Sequence, residues 1–202
     1  MNVNIKYPLV LHDNWLLESI TGQINKNVKY TNSLIKKDFI SPSSISKTPI
    51  LRILRFLKTT KSSDLTAILS DSTHTVIAIF PFDPAIINFE IRYKHRITYH
   101  TPNSLILIKQ ANLRFVNNVE LTTEWGITIE DEIDVAVLEV LDLEIFQRDQ
   151  IMLGVNIENN LQLIYYDKSY LNLCGKSRQR DSLGEKEIKE VISQSYDDVV
   201  SI

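Results

Sequence analysis

The stretch LTAILSDSTHTVIAIFPFDPAIINFEIRYKHRITYHTPNSLILIKQANLRFV, from Leu65 to Val116, decides the fold of this chain. It opens with two apolar, strand-like runs, Leu65–Leu69 and Thr75–Phe80. They are joined through Ser70-Asp71-Ser72-Thr73, where Asp and Ser side chains bond nearby backbone and favour a tight turn. Asp83-Pro84 then supplies a capping residue followed by proline at the first helical position. The helix that starts there runs to about Lys94 and buries Ile86, Ile87 and Ile91. Its basic end, Arg92, Lys94, His95 and Arg96, suits the negative pole of the helix dipole. The polar string Thr98-Tyr99-His100-Thr101-Pro102-Asn103 leads into Leu105–Ile108 and Leu113–Val116, apolar pieces of a fourth strand.

Upstream, Ile50–Lys58 reads as a long first strand with Arg52, Arg55 and Lys58 interspersed. Downstream, Ile127–Ile129 and Val135–Leu143 provide a fifth. Five strands with one helix between the third and fourth is the order of an OB-fold barrel, so the expected class is mainly β with flanking helices. An SH3-like barrel or a five-stranded α+β sheet gives similar strings. The absence of glycine from the whole central stretch departs from barrels that turn their corners on it.

These runs divide the chain into an N-terminal extension at 1–48, a barrel at 49–166 and a tail at 167–202 that is partly helical or disordered. In the extension, Asp13–Gly22 is a short helix candidate, capped by Asp13 and stopped by Gly22. Leu16, Leu17 and Ile20 form its stripe, and an advance of about 100° per residue places Trp15 opposite, with its indole toward solvent. The equally weighted alternative makes Trp15 a core anchor, because large indoles are mostly buried. Residues 23–48, rich in Asn, Ser, Lys and Thr, read as a connecting segment. Beyond the fifth strand, Glu144–Leu153 is read as a further helix and Leu161–Tyr166 as a short apolar element. In the polar tail the stripe Ile188, Val191, Ile192 suggests a terminal helix.

At 202 residues, 44% apolar and 23% charged, the chain suits one globular domain with tails. A net charge of −3 gives no support to stand-alone nucleic-acid binding, which normally shows a basic excess. Cys174 is alone, which excludes an intrachain disulfide or a cysteine zinc cluster and fits a reducing compartment. Pro8-Leu9-Val10-Leu11 is too short for a secretory signal. No run is long enough for a membrane span, and Asn-x-Ser/Thr is absent, so a cytosolic or nuclear protein is expected.

Catalytic signatures are missing. Gly175-Lys176-Ser177 has the end of a phosphate-binding loop, but Tyr170 stands where that motif has its first glycine. His12, His74, His95 and His100 lack metal-ligand spacing, so neither metal nor cofactor is expected. Carboxylates crowd between Glu130 and Asp149 against Arg148 alone, which reads as a solvated acidic face or one that meets a basic partner. A nucleic-acid-binding barrel needs aromatic platforms beside a basic groove. Here Phe56, Phe80 and Phe115 are sparse and suit a core, while Arg52, Arg55 and Lys58 suit a solvated face as well as a groove. Protein binding is the better default, with a single-stranded nucleic-acid-binding OB-fold as the alternative.

Three strings carry a resemblance: Leu69-Ser70-Asp71-Ser72-Thr73-His74, Arg96-Ile97-Thr98 with Thr101-Pro102-Asn103, and Ile145-Phe146-Gln147-Arg148-Asp149-Gln150. Together they resemble the family of the third Ever Shorter Telomeres subunit of yeast telomerase, an OB-fold family related to the telomerase-recruiting domain of mammalian shelterin. The resemblance covers about Trp15 to Tyr166. It implies a non-catalytic, nuclear subunit at chromosome ends whose partners are the N-terminal domain of the telomerase reverse transcriptase and other telomerase subunits. Direct nucleic-acid binding would be weak or absent. By position it puts Trp15, Arg55, Thr101 and Asn103 on the partner surface, with His100 where the family pattern has an acidic residue. It also makes Asp71 and Arg96 a bridged, structural pair.

Overall fold

The computed structural model describes residues 14–26, 35–41, 48–57, 63–98, 101–129, 133–148 and 161–174. In chain order the elements are α1 (Leu16–Lys26), β1 (Ile35–Ile40), β2 (Ile50–Leu57), β3 (Leu65–Ser70), β4 (His74–Phe80), α2 (Ile87–Tyr93), β5 (Leu105–Val116), α3 (Asn118–Trp125), β6 (Val135–Gln147) and β7 (Gln162–Leu163). A helix over 168–174, α4, ends the described chain.

Five strands close on themselves. β2 pairs antiparallel with β3, β3 with β4, β6 with β5, and β5 with β2, while β4 and β6 run parallel. This is the OB-fold barrel expected from the strand order, with α2 between its third and fourth strands. Ile53, Ala67, Leu69, Ile77, Ile106, Leu113, Phe115 and Leu138 belong to one buried cluster, as expected of a small barrel filled by packed side chains. β5 is one 12-residue strand rather than two pieces, kept continuous by pairing with β6 along its whole length.

Several segments differ from their sequence reading. α1 runs through Gly22 to Lys26, α2 starts at Ile87 with no cap from Asp83, and residues 127–129 are not a strand. β1 lies inside the segment read as a connector; it adds to β5, with Lys36 opposite Leu113 but Ile40 opposite Ala111. The two extra residues form a bulge in which Asp38 adopts a positive φ of 54°, so no alternation shows in the sequence. α3 was not expected: Asn117 caps it by accepting the Glu120 N–H, and Gly126 ends it at φ 66°. Residues 144–147 continue β6, because Ile145 and Gln147 are opposite Ile106 and Leu105; the helix read over Glu144–Leu153 is not present in its described part. Within α2, Phe89 is buried and Ile91 exposed, reversing the expected face at that turn.

The core also reaches past both expected barrel boundaries. α1 contributes Leu16, Ile20 and Ile24, one stripe at i, i+4, i+8, and α4 contributes Tyr170 and Cys174. β4 and β6 pair only at Ala78–Leu138 and Ile79–Glu139. Where that ladder stops, the buried Tyr165 hydroxyl takes over: it accepts the Ile77 N–H at 3.1 Å and donates to the Ala136 carbonyl at 2.6 Å. The Tyr170 hydroxyl braces the start of β6 alone, donating to the Asp134 carbonyl and accepting the Ala136 N–H. The two rings meet edge-on, with centroids 5.5 Å apart. The segment after β7 is therefore part of the barrel wall. The expected terminal stripe at Ile188, Val191 and Ile192 lies outside the described residues.

Candidate interaction surface

Trp15 and Thr101, expected at the partner surface, are buried, and Asp71, expected to be structural through an ion pair, is structural through backbone hydrogen bonds. α1 begins at Leu16, so Trp15 precedes the helix and folds inward; only 4% of it is exposed. Its indole N–H points at the Ile50 carbonyl, 3.4 Å away. Asp71, 2% exposed, sits in the β3–β4 turn, and its carboxylate is filled by backbone donors. Oδ2 accepts the N–H groups of Trp15 and Leu16, both at 2.9 Å, and Oδ1 accepts those of Thr73 at 2.8 Å and His74 at 2.7 Å. Asp71 thus caps α1 from 55 residues away in sequence, while Asp13, the cap expected locally, lies outside the described residues. Among the described residues no ion pair joins Asp71 to Arg96, which is exposed beyond α2. Thr101 is fully buried, its hydroxyl donating to the Ile97 carbonyl. His100 lies outside the described residues.

Arg55 and Asn103 are exposed, and the local backbone explains why. In the β2–β3 ladder Ile53 faces Leu69 but Arg55 faces Ile68, so one extra residue in β2 forms a bulge that turns Arg55 outward. Asn103 holds a positive φ of 64°, a conformation that Asn tolerates better than most residues. Its N–H donates to the Ile53 carbonyl at 2.7 Å, and its own carbonyl receives Arg52 Nη1 at 3.4 Å. Arg52, 3% exposed, is consequently no groove-lining cation; burial pulls its pKa below the ordinary arginine value. Lys58 lies outside the described residues. The turn before β5 is thereby fixed against β2, with Arg55 and Asn103 presented at the same rim of the barrel.

β6 has a bulge at this rim too. Ile106 faces Ile145 and Leu105 faces Gln147, which leaves Phe146 as the extra residue, 53% exposed. Arg148, just beyond, approaches Nε2 of His95 at 2.9 Å. Sequence reading missed Phe146 because alternation along β6 fades after Leu143, and it missed the pairing of the acidic segment. Glu139 accepts from Asn112, Lys109 bridges Glu144 at 3.2 Å, and Arg92 bridges Asp142 at 3.2 Å while donating to the Leu143 carbonyl. The β6 carboxylates Glu139, Asp142 and Glu144 are thus matched by β5 and α2, while Glu130, Asp131, Glu132 and Asp149 of the acidic segment lie outside the described residues.

The family profile described as "Shelterin complex subunit, TPP1/ACD" matches residues 12–162. Telomere replication protein EST3 of Candida albicans is 44% identical over 173 residues, 86% of this chain and 82% of that protein. The chain belongs to the Est3 and TPP1/ACD family. Telomere replication protein EST3 of Kluyveromyces lactis is 30% identical to this Est3-family chain over 109 residues, 53% of this chain and 59% of that one. A solved structure, the Est3 telomerase subunit of the yeast Hansenula polymorpha, superposes with a TM-score of 0.54 over 80% of this chain and 84% of its own, at 21% identity. That likeness confirms the OB-fold barrel.

Proposed function

We propose that this chain is a non-catalytic accessory subunit of telomerase that acts in the nucleus at chromosome ends, binding the N-terminal domain of the telomerase reverse transcriptase. The observation that carries this reading is identity of 44%, over nearly the whole chain, to a telomere replication protein. The geometry supports contact rather than catalysis: the β2 bulge and a clamped positive-φ turn hold the backbone of Arg55 and Asn103 at one rim, so little backbone freedom is lost on binding. Trp15, Thr101 and Asp71 then serve from beneath, by holding α1 and the pre-β5 turn in place.

The test is binding of the purified chain to the reverse transcriptase N-terminal domain. Arg55→Glu should weaken association by about tenfold, as charge reversal at a desolvating rim does, with an unchanged melt. A folded wild-type chain that ignores this domain, yet binds the telomeric single strand with steep salt dependence, would overturn the reading in favour of a nucleic-acid-binding barrel.

A further inference from the structure

Among the described residues, Phe82, Ile91, Val119, Phe146 and Tyr166 are the large apolar side chains left exposed. Exposed apolar residues scattered singly are ordinary and need no function. Phe146 differs from the rest in position. Its strand pairs with Leu105, two residues from Asn103, and Leu105 in turn faces Arg52 on β2, three residues before Arg55. The β6 bulge therefore turns an aromatic ring outward at the same rim where the β2 bulge turns out Arg55.

The charge around it has a sign. Arg55, Arg96 and Arg148 are exposed near this rim, and among the described residues none of them pairs with a carboxylate. The nearby acids Asp142 and Glu144 are already matched by Arg92 and Lys109. Among the described residues, a chain with a net charge of −3 thus presents a locally basic rim with Phe146 in it. Aromatic residues ringed by arginine are the composition in which binding energy concentrates at protein interfaces.

We propose that Phe146 is the aromatic anchor of the partner surface, the role that the sequence assigned to Trp15, and that its occupant is a protein surface offering an apolar pocket edged by carboxylates. This rests on the accessory-subunit reading above. Phe146 is outside the buried core, so its truncation leaves the fold intact, and the backbone bulge that aims it persists without the ring.

The experiment measures binding of the full chain to the reverse transcriptase N-terminal domain at low and high salt, for wild type, Phe146→Ala, Phe146→Leu and Arg55→Ala, each with a thermal melt. Phe146→Ala should lose at least about tenfold in affinity, Phe146→Leu clearly less, and neither should move the melt by more than about 2 °C. The Phe146→Ala loss should persist at high salt, whereas the Arg55→Ala loss should shrink as screening removes its contribution. Wild-type binding with Phe146→Ala within twofold of it would overturn the anchor and leave the accessory-subunit reading standing. Equal losses in Phe146→Ala and Phe146→Leu, each with a lowered melt, would show a packing role and overturn it too. A wild-type chain that does not bind would overturn both.

Discussion

Replacing Asp71 with Ala tests the interaction on which the N-terminal helix depends. In the wild type one buried carboxylate receives four backbone N–H groups, two of them from Trp15 and Leu16 at the entry to α1. Loss of a helix cap alone costs about 1 kcal/mol. Here the Trp15 and Leu16 amides are buried as well, and each donor left unsatisfied adds about 1–3 kcal/mol. Water can reach the part-buried turn amides of Thr73 and His74, so their share is smaller. The expected total is about 4 kcal/mol, a large part of the 5–15 kcal/mol that stabilises a typical domain. At about 2–4 °C per kcal/mol for a chain of this size, the melt should fall by roughly 10 °C. Denaturant titration, together with hydrogen exchange at the Trp15 and Leu16 amides, measures it; exchange there should accelerate far more than in β5. Arg96→Ala should change stability by no more than about 0.5 kcal/mol, as an exposed substitution does. In the double mutant the two effects should add. A coupling of about 3 kcal/mol between Asp71 and Arg96 would refute the capping argument and restore a buried ion pair.

Trp15→Ala should destabilise by about 3–5 kcal/mol, as deletion of a buried aromatic does, so binding and stability fall together; a normal melt with lost binding would put the indole back at the surface. Tyr165→Phe leaves the Ile77 N–H and Ala136 carbonyl without their bridge and should cost about 2 kcal/mol by urea titration. Burial pushes the Tyr165 phenol far above its ordinary value, against a smaller opposing effect of the Ile77 hydrogen bond. An unfolded tyrosine ionises near pH ~10, so the unfolded state loses its proton first. The stability tied to the neutral phenol is therefore full below that pH and falls as pH rises above it. Urea midpoints followed from pH 8 to 11 should decline less steeply for Tyr165→Phe than for wild type.

The barrel was legible because its signals are local. The apolar runs of β2 to β4, the Asp71 turn and the stop near Lys94 each depend on residues a few positions apart. What escaped depends on distant pairing. β1 contains a two-residue bulge that erases period two, and residues 144–147 suit a helix as well as a strand until β5 lies beside them. α3 did carry its signals, Asn117 and Gly126, but its apolar residues are too few to announce an amphipathic face. The surface was the least legible part. Trp15 lies one residue before the helix begins, so the helical advance of about 100° per residue does not describe where its indole goes.

The same geometry changes how loss of function in this family member should be read. A residue that carries resemblance across a family is marked by sequence whether it touches a partner or holds the part that does. Trp15, Asp71 and Thr101 are buried and bonded to backbone at three points, the Ile50 carbonyl, the start of α1 and the Ile97 carbonyl, so their variants report on the scaffold. Arg55 and Phe146 are exposed at a rim shaped by bulges, so theirs should report on the contact proposed there, whereas variants of Asn103, held at a positive φ in the pre-β5 turn, should report on both. Both kinds of variant would give the same result in an assay of association alone, because a displaced α1 or pre-β5 turn shifts the rim that it supports. Stability separates them: scaffold variants must lower the melt in proportion to the binding they lose, and rim variants must lose binding at constant melt.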